Sequence, residues 1–367
     1  MTLQRGVAVA HPGNFLLFRA SFYRLIGGTS LYHPPPDQMT GFLYSPTFAL
    51  LFAPFAIWPV PLGLLFWNVV NTAALYSGLT RLLSPAAARV ALMIVFLDCV
   101  RSLQNSQSNA LVTGLVLAAF LALERRHELT SAAAVLSGAC IKLFPIGAGV
   151  MGLFGPRRLR FALWSAAALL VLAALPLLVL SPAAYTASLH EWIGMLQRDS
   201  GLQGQSVMRI LSDWFGLVSP NWIVQAAGVV LLLAPVLSHL ARWSDSVFRL
   251  RFLCSLLVFL VIFNHEAESA SFIIATTGIA IWFITTPRTW WRTLLLGLEL
   301  LGVAIPRLFF FPYPVYHDVI RAHALDAFPC VLIWVVMQVE LWTGSSLLPT
   351  QRDERDVAAG KSGGERR

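Results

Sequence analysis

Residues 252–284 read FLCSLLVFLVIFNHEAESASFIIATTGIAIWFI, two long apolar runs, Phe252 to Phe263 and Phe272 to Ile284, enclosing Asn264-His265-Glu266-Ala267-Glu268-Ser269. Runs of this character on both sides put three titratable side chains within or at the lip of a membrane. A charge near the bilayer centre costs about 2.5–3.5 kcal/mol on insertion scales, so groups placed there usually serve a function. The stretch predicts a polar cavity in a membrane protein.

The rest of the chain agrees. Of 367 residues, 57% are hydrophobic and 12% charged, about half the charge of an average soluble domain at roughly 25%, and the mean hydropathy is +0.70. The net charge of +8 does not point to nucleic acid. The basic residues form short clusters between apolar spans, among them Arg125-Arg126 and Arg157-Arg158-Leu159-Arg160, as the positive-inside rule requires of cytoplasmic loops. Cys99, Cys140, Cys254 and Cys330 each sit in an apolar stretch without metal-ligand spacing and read as small core residues. Residues 7–10 are too short for the apolar core of a cleavable signal.

The expected fold is all-α, a polytopic membrane helical bundle of about 8–11 transmembrane or re-entrant helices. Three parts are expected. Residues 1–45 hold an external amphipathic helix and a Pro-rich loop. Residues 46–345 form the transmembrane helical domain, with 183–215 as its longest non-spanning, external connection. Residues 346–367 form a charged, Gly-rich tail without periodicity, expected to be disordered in the cytoplasm. In 14–27, Phe15, Phe18, Phe22 and Leu25 or Ile26 recur at helical spacing while Arg19 and Arg24 stay polar, which predicts a helix lying at the membrane surface. Segment 46–58 is too short to cross, and 129–153 carries Lys142 and Pro145 near its middle. Both predict broken or re-entrant helices; 129–153 becomes a hairpin with its tip at Lys142-Leu143-Phe144-Pro145, pointing away from the cytoplasm.

Four polar groups are candidates to line one outward cavity. Asp37, beside the prolines at 34–36, is a general base or a solvated loop carboxylate. The run Gln104-Asn105-Ser106-Gln107-Ser108-Asn109 has amides and hydroxyls that can hold several sugar hydroxyls at once, or it caps the next helix. Lys142 can neutralise a phosphate as a point charge or snorkel to the interface, and Arg209 is a second cation for the same anion. His265, Glu266 and Glu268 are acid–base candidates, His265 and Glu268 sharing a face if the segment is helical; the alternative is a buried packing network. Asp98 and Arg101 read as a local ion pair.

These motifs together resemble glycosyltransferase family 87, membrane enzymes of the GT-C fold class that use polyprenyl-phosphate sugars. The resemblance covers about residues 14–343. It rests on Tyr44-Ser45-Pro46 before a short apolar helix, Trp67-Asn68-Val69-Val70-Asn71, Gln104 to Asn109, Ile141-Lys142-Leu143-Phe144-Pro145 and Gln205-Ser206-Val207. It implies a GT-C-like fold, a mannosyltransferase-like hexosyl- or pentosyltransferase of the cell membrane, a lipid-linked sugar donor, a glycan or glycolipid acceptor and surrounding membrane lipids as partners. No metal or cofactor is expected beyond the donor. Where such enzymes carry a catalytic Asp after the first transmembrane helix, this sequence has Asn14, and only 13 residues precede it; a shortened start is expected. The catalytic role then falls to Asp37, His265, Glu266 or Glu268, with Asn14, Arg19, Tyr44, Gln104, Asn105, Gln107, Asn109, Lys142, Ser206, Arg209 and Asn264 expected to bind substrate. Two rivals stand beside this expectation: a proton-coupled transporter or lipid flippase, and a catalytically inactive glycolipid-binding relative.

Overall fold

The structure, a computed structural model, describes residues 13–33, 41–304 and 316–344. Asp37, the prolines at 34–36 and the tail at 346–367 lie outside the described residues. All regular structure among the described residues is helical. In chain order the main helices are α1 Asn14–Ile26, α2 Pro46–Leu51, α3 Val60–Leu82, α4 Pro85–Gln104, α5 Asn109–Glu124, α6 Glu128–Ile141, α7 Arg158–Ala174, α8 Pro182–Asp199, α9 Val207–Phe215, α10 Asn221–Ser238, α11 Ser246–Ile262, α12 Phe272–Thr285, α13 Trp290–Glu299 and α14 Phe328–Thr343.

Three of the helical stretches are long and apolar enough to cross a membrane: Val60–Leu82, Arg158–Leu178 and Asn221–Ser238. At 1.5 Å per residue they extend about 35, 31 and 27 Å, against a hydrocarbon core of about 30 Å. The helices between them are shorter and pack closely. A side chain at Gly114 of α5 would meet the Ala74 backbone of α3 at 2.5 Å, and one at Gly278 of α12 would meet the Cys254 carbonyl of α11 at 2.6 Å. Small residues thus let these helix axes approach closely.

The 128–157 segment folds as the expected hairpin. Helix α6 rises about 21 Å, the chain turns through Lys142 in an extended conformation (φ −141°, ψ 139°), and Phe144–Gly149 and Val150–Leu153 return about 18 Å. Its base is closed by Arg157 donating to Glu128 at 3.3 Å and to the Arg126 carbonyl at 3.4 Å. Neither leg reaches the thickness of a bilayer core.

Helix ends sort into two levels. Glu124, Glu128 and Arg249 mark one, where Arg249 clasps Glu124 through two hydrogen bonds of 2.6 and 2.7 Å. The start of α5, the end of α6, the end of α11 and the start of α12 mark the other, where the polar motifs collect.

Two expectations are corrected. Helix α1 does not lay its apolar stripe on lipid: Phe15, Phe18, Phe22 and Leu25 are buried. Phe18 stands edge-on to Tyr44, Phe48, Phe52 and Trp67, with ring centroids 4.8–6.0 Å apart. Arg24 is buried with them rather than facing out. Aromatic partners at 42–67 compete for the stripe, and they win. The 183–215 connection contains the two helices α8 and α9 instead of an irregular loop. Ser181 caps α8 by accepting from the Ala184 amide at 3.2 Å, with Pro182 at the first helical position, a start signal visible in the sequence.

Candidate active site

The amide turn is built first. Ser106 takes a left-handed conformation (φ 54°) as the Ser106 and Gln107 amides bond back to Leu103 (3.0 Å) and Ser102 (2.9 Å), closing the end of α4. Trp67 Nε1 donates to the Ser106 carbonyl at 3.0 Å, and Asn71 Oδ1 accepts from the Leu111 amide at 3.0 Å. The Trp-Asn-x-x-Asn pattern therefore holds the turn from α3. On its outer side Asn14 Nδ2 donates to the Asn105 carbonyl at 2.9 Å.

This turn directs Gln107 across to the 264–268 segment, where its Nε2 donates to Glu268 Oε1 at 2.5 Å. Gln107 Oε1 is buried with no hydrogen-bond partner among the described residues. Asn109, fully buried, donates instead to the Ala270 carbonyl at 2.8 Å and ties α5 to the start of α12.

Residues 264–268 form a turn rather than a helix, so His265 and Glu268 do not share a helical face. Asn264 Oδ1 accepts from the Glu266 amide at 3.1 Å, an Asx-type turn, which makes Asn264 a shaping residue. His265 Nδ1 lies 3.2 Å from Gln225 Nε2 of α10. From below, Gly204 N donates to the His265 carbonyl (2.6 Å) and Gln205 N to the Ala267 carbonyl (2.8 Å). A side chain at residue 204 would collide with the Ala267 carbonyl at 2.3 Å, so only glycine permits this two-bond clamp.

The hairpin brings Lys142 to the same place. Ser45 Oγ donates to the Cys140 carbonyl at 2.6 Å, seating Tyr44 beside the hairpin tip. Both Lys142 and Tyr44 lie within electrostatic range of Glu268 and Glu266. Lys142 is half-buried as a residue, and its ammonium has no hydrogen bond or ion pair among the described residues; the Phe144 ring is 6.0 Å away. Burial, then Glu268 and Glu266, push the Tyr44 phenol up, so it stays a hydrogen-bond donor at neutral pH. Burial also raises the Glu266 carboxyl above its ordinary value, against the opposing pull of His265 and Lys142 and with Asp199 and Glu268 adding to the rise. Glu266 Oε1 is buried without a hydrogen-bond partner among the described residues.

Glu268 is exposed into an open cavity of about 590 Å³ that Gln205, Arg209, Asp318 and Arg321 also line. Arg209 reaches it while bonded to Asp213 (3.1 Å), the Ala322 carbonyl (2.9 Å) and the Gln203 carbonyl (3.1 Å). Gln205 Nε2 donates to Asp326 at 2.7 Å.

Of the residues expected from sequence, Tyr44, Gln107, Lys142, His265, Glu266 and Glu268 converge, and Arg209 borders the cavity. Arg19 does not join them: it donates to the Ala56 carbonyl at 3.0 Å and stacks on Tyr23. Ser206 is buried, its hydroxyl 3.4 Å from the Gly204 carbonyl. Asn105 caps its own helix through the Arg101 carbonyl at 2.9 Å, and Gln104 ends α4 half-buried. Asp98 and Arg101 pair at 2.8 Å as expected. Gly204, Gln225 and Asp326 were not foreseen. The glycine next to the Gln-Ser motif was the one available signal, because the partners of Gln225 and Asp326 are distant in sequence.

Residues 42–262 match the sequence model of a family described as Glycosyltransferase family 87. The matched stretch holds Tyr44, the amide turn, Lys142 and the Gly204–Gln205 clamp, and ends just before Asn264. No curated protein matches the chain.

Proposed function

The chain belongs to glycosyltransferase family 87 and is a glycosyltransferase; from that premise we propose that it transfers a sugar from a polyprenyl-phosphate donor to a hydroxyl of a lipid-linked or cell-envelope glycan. It does so as a multi-pass, GT-C-like protein of the cell membrane, at a cavity on the external face. The orientation rests on the positive-inside rule: Arg125, Arg126 and Arg157 to Arg160 lie at the level opposite the cavity.

The observation that carries this reading is the Lys142 ammonium, without an ion pair among the described residues and within electrostatic range of Glu266 and of Glu268, which lines the 590 Å³ cavity. In the proposed step the acceptor oxygen bonds to the anomeric carbon with inversion as the carbon–oxygen bond to phosphate breaks. Polyprenyl phosphate leaves with that electron pair, and its charge grows from one to two. Lys142 faces the growing charge, and Arg209 adds a more distant positive charge. Glu266 receives the acceptor proton, since a carboxyl raised by burial is better matched to neutral pH than an ordinary one. Glu268, held by Gln107, accepts a hydrogen bond from a sugar or acceptor hydroxyl, and Tyr44 donates one. The free Gln107 oxygen is a further acceptor.

The test is the purified full chain in nanodiscs with a polyprenyl-phosphate hexose and a lipid-linked glycan extract. A one-sugar mass gain in the acceptor together with release of polyprenyl phosphate supports the reading. Substrate uptake by vesicles without any such product replaces it with a transporter.

A further inference from the structure

The other level of the bundle holds a second cavity, of about 610 Å³, at the base of the hairpin that carries Lys142. Its charged wall holds three guanidinium groups, Arg126, Arg157 and Arg249, and two carboxylates, Glu124 and Glu128. Its apolar wall is aromatic, with Phe154, Phe161 and Trp243 among the lining residues. Two of the cations are neutralised within the cavity, Arg249 by Glu124 at 2.6 Å and Arg157 by Glu128 at 3.3 Å. Arg126 has no ion pair among the described residues and leaves the cavity one positive charge in excess, with Arg125 beside Arg126 and Arg158 beside Arg157 in the chain.

The backbone at Arg126 is a second, independent observation. Arg126 and His127 close the end of α5, their amides bonding to the Leu123 (2.9 Å) and Ala122 (2.8 Å) carbonyls. In this motif the left-handed residue is usually glycine, yet Arg126 occupies it at φ 60°. A side chain there costs about 1 kcal/mol of backbone strain relative to glycine. The strain is retained at the lining cation that has no ion pair among the described residues, as stored strain at functional positions is.

The cavity mouth adjoins an apolar band, with Leu153, Leu159, Leu163 and Leu240 all more than half exposed. We infer that this cavity binds the headgroup phosphate of an anionic phospholipid from the cytoplasmic leaflet, Arg126 holding the phosphate and the aromatic wall and leucine band holding the upper acyl chain. The excess of one positive charge suits a phosphodiester with one negative charge. A zwitterionic headgroup brings a second cation into a cavity that has no free carboxylate to receive it.

The experiment uses the delipidated full chain in detergent, titrated with short-chain phosphatidylglycerol, phosphatidylcholine or inorganic phosphate and read by thermal unfolding and native mass spectrometry. The variants are Arg126→Gly and, as a control of equal charge change, Arg89→Gln at the exposed start of α4. Phosphatidylglycerol is expected to stabilise the wild type more than phosphatidylcholine, with inorganic phosphate having little effect. Arg126→Gly should weaken phosphatidylglycerol binding about fivefold, the worth of one guanidinium near a charged lipid surface, with a melting temperature equal to or above that of the wild type. Arg89→Gln should change neither. Equal response to both lipids, equal weakening in the two variants, full retention of binding by Arg126→Gly, or stabilisation by inorganic phosphate matching that by phosphatidylglycerol would each overturn the inference. None of these readouts involves sugar transfer, so the result is independent of the proposed activity.

Discussion

Replacing Lys142 with Met removes the positive charge while keeping an unbranched apolar stem, and the expected effect follows from its surroundings. The ammonium has no ion pair among the described residues and lies within electrostatic range of two carboxylates. With an effective dielectric near 20, the value that suits even buried sites, a full unit charge developing at about 3 Å is worth about 5.5 kcal/mol. A transition state in which about half of that charge has moved to the phosphate gains about 2.7 kcal/mol. The loss corresponds to about a 100-fold fall in kcat, in line with removal of one preorganised donor from a site of developing charge. KM should also rise, because the donor already carries one negative charge before reaction. Lys142→Arg keeps the charge but not its compact placement and should recover part of the rate. The assay is transfer in nanodiscs with kcat and KM separated, and thermal unfolding to establish that the variant is folded. A folded Lys142→Met protein turning over within threefold of the wild type refutes the assignment of the leaving-group charge to this residue.

Other outcomes follow from the same geometry. With the folded-state Glu266 carboxyl raised by burial, kcat should climb with pH through an apparent pKa above the ordinary value near 4.3, and Glu266→Gln should abolish that limb along with most activity. The linked stability has the opposite slope: Glu266 favours the fold below its unfolded value and loses that contribution as pH rises through the raised one, so thermal melts of Glu266→Gln should depend less on pH across that window. Gln107→Leu deletes the 2.5 Å donor to Glu268 and should cost about 1–3 kcal/mol in denaturant or thermal stability, with a larger proportional loss in kcat than in KM. Gly204→Ala puts a methyl 2.3 Å from the Ala267 carbonyl, and the opened clamp should lower stability by about 1–3 kcal/mol and transfer at least tenfold; wild-type activity in that variant would show that the clamp does not hold the turn.

The parts of this molecule that were readable in advance are those encoded locally. The apolar runs around 264–269 announced a polar pocket between helices, and Lys142 with Pro145 announced a broken hairpin, because charge and proline have a cost in lipid wherever they stand. The Asp98–Arg101 pair needed only helical spacing. What was misread depends on competition between distant groups. The stripe of α1 fits a lipid surface as well as it fits Phe48, Phe52 and Trp67, and sequence periodicity does not say which surface is offered. Arg19, taken as a ligand-binding cation, is used by the Ala56 carbonyl 37 positions away. The clamp of Gly204 and Gln205 on 265–267 consists of backbone bonds, which no side-chain pattern reports. The helices within 183–215 were legible from Ser181-Pro182 but were obscured by the polar residues that follow.

The central claim is that the donor phosphate sits on Lys142 with its sugar turned toward Glu266 and Glu268. A structure of the full chain bound to a non-transferable polyprenyl-phosphate sugar tests it directly. The account predicts a phosphate oxygen within about 3.2 Å of Lys142 Nζ and the sugar in the cavity bordered by Gln205, Glu268 and Arg209. A donor phosphate seated instead among Arg126, Arg157 and Arg249 at the opposite level, with Lys142 left uncontacted, would contradict it.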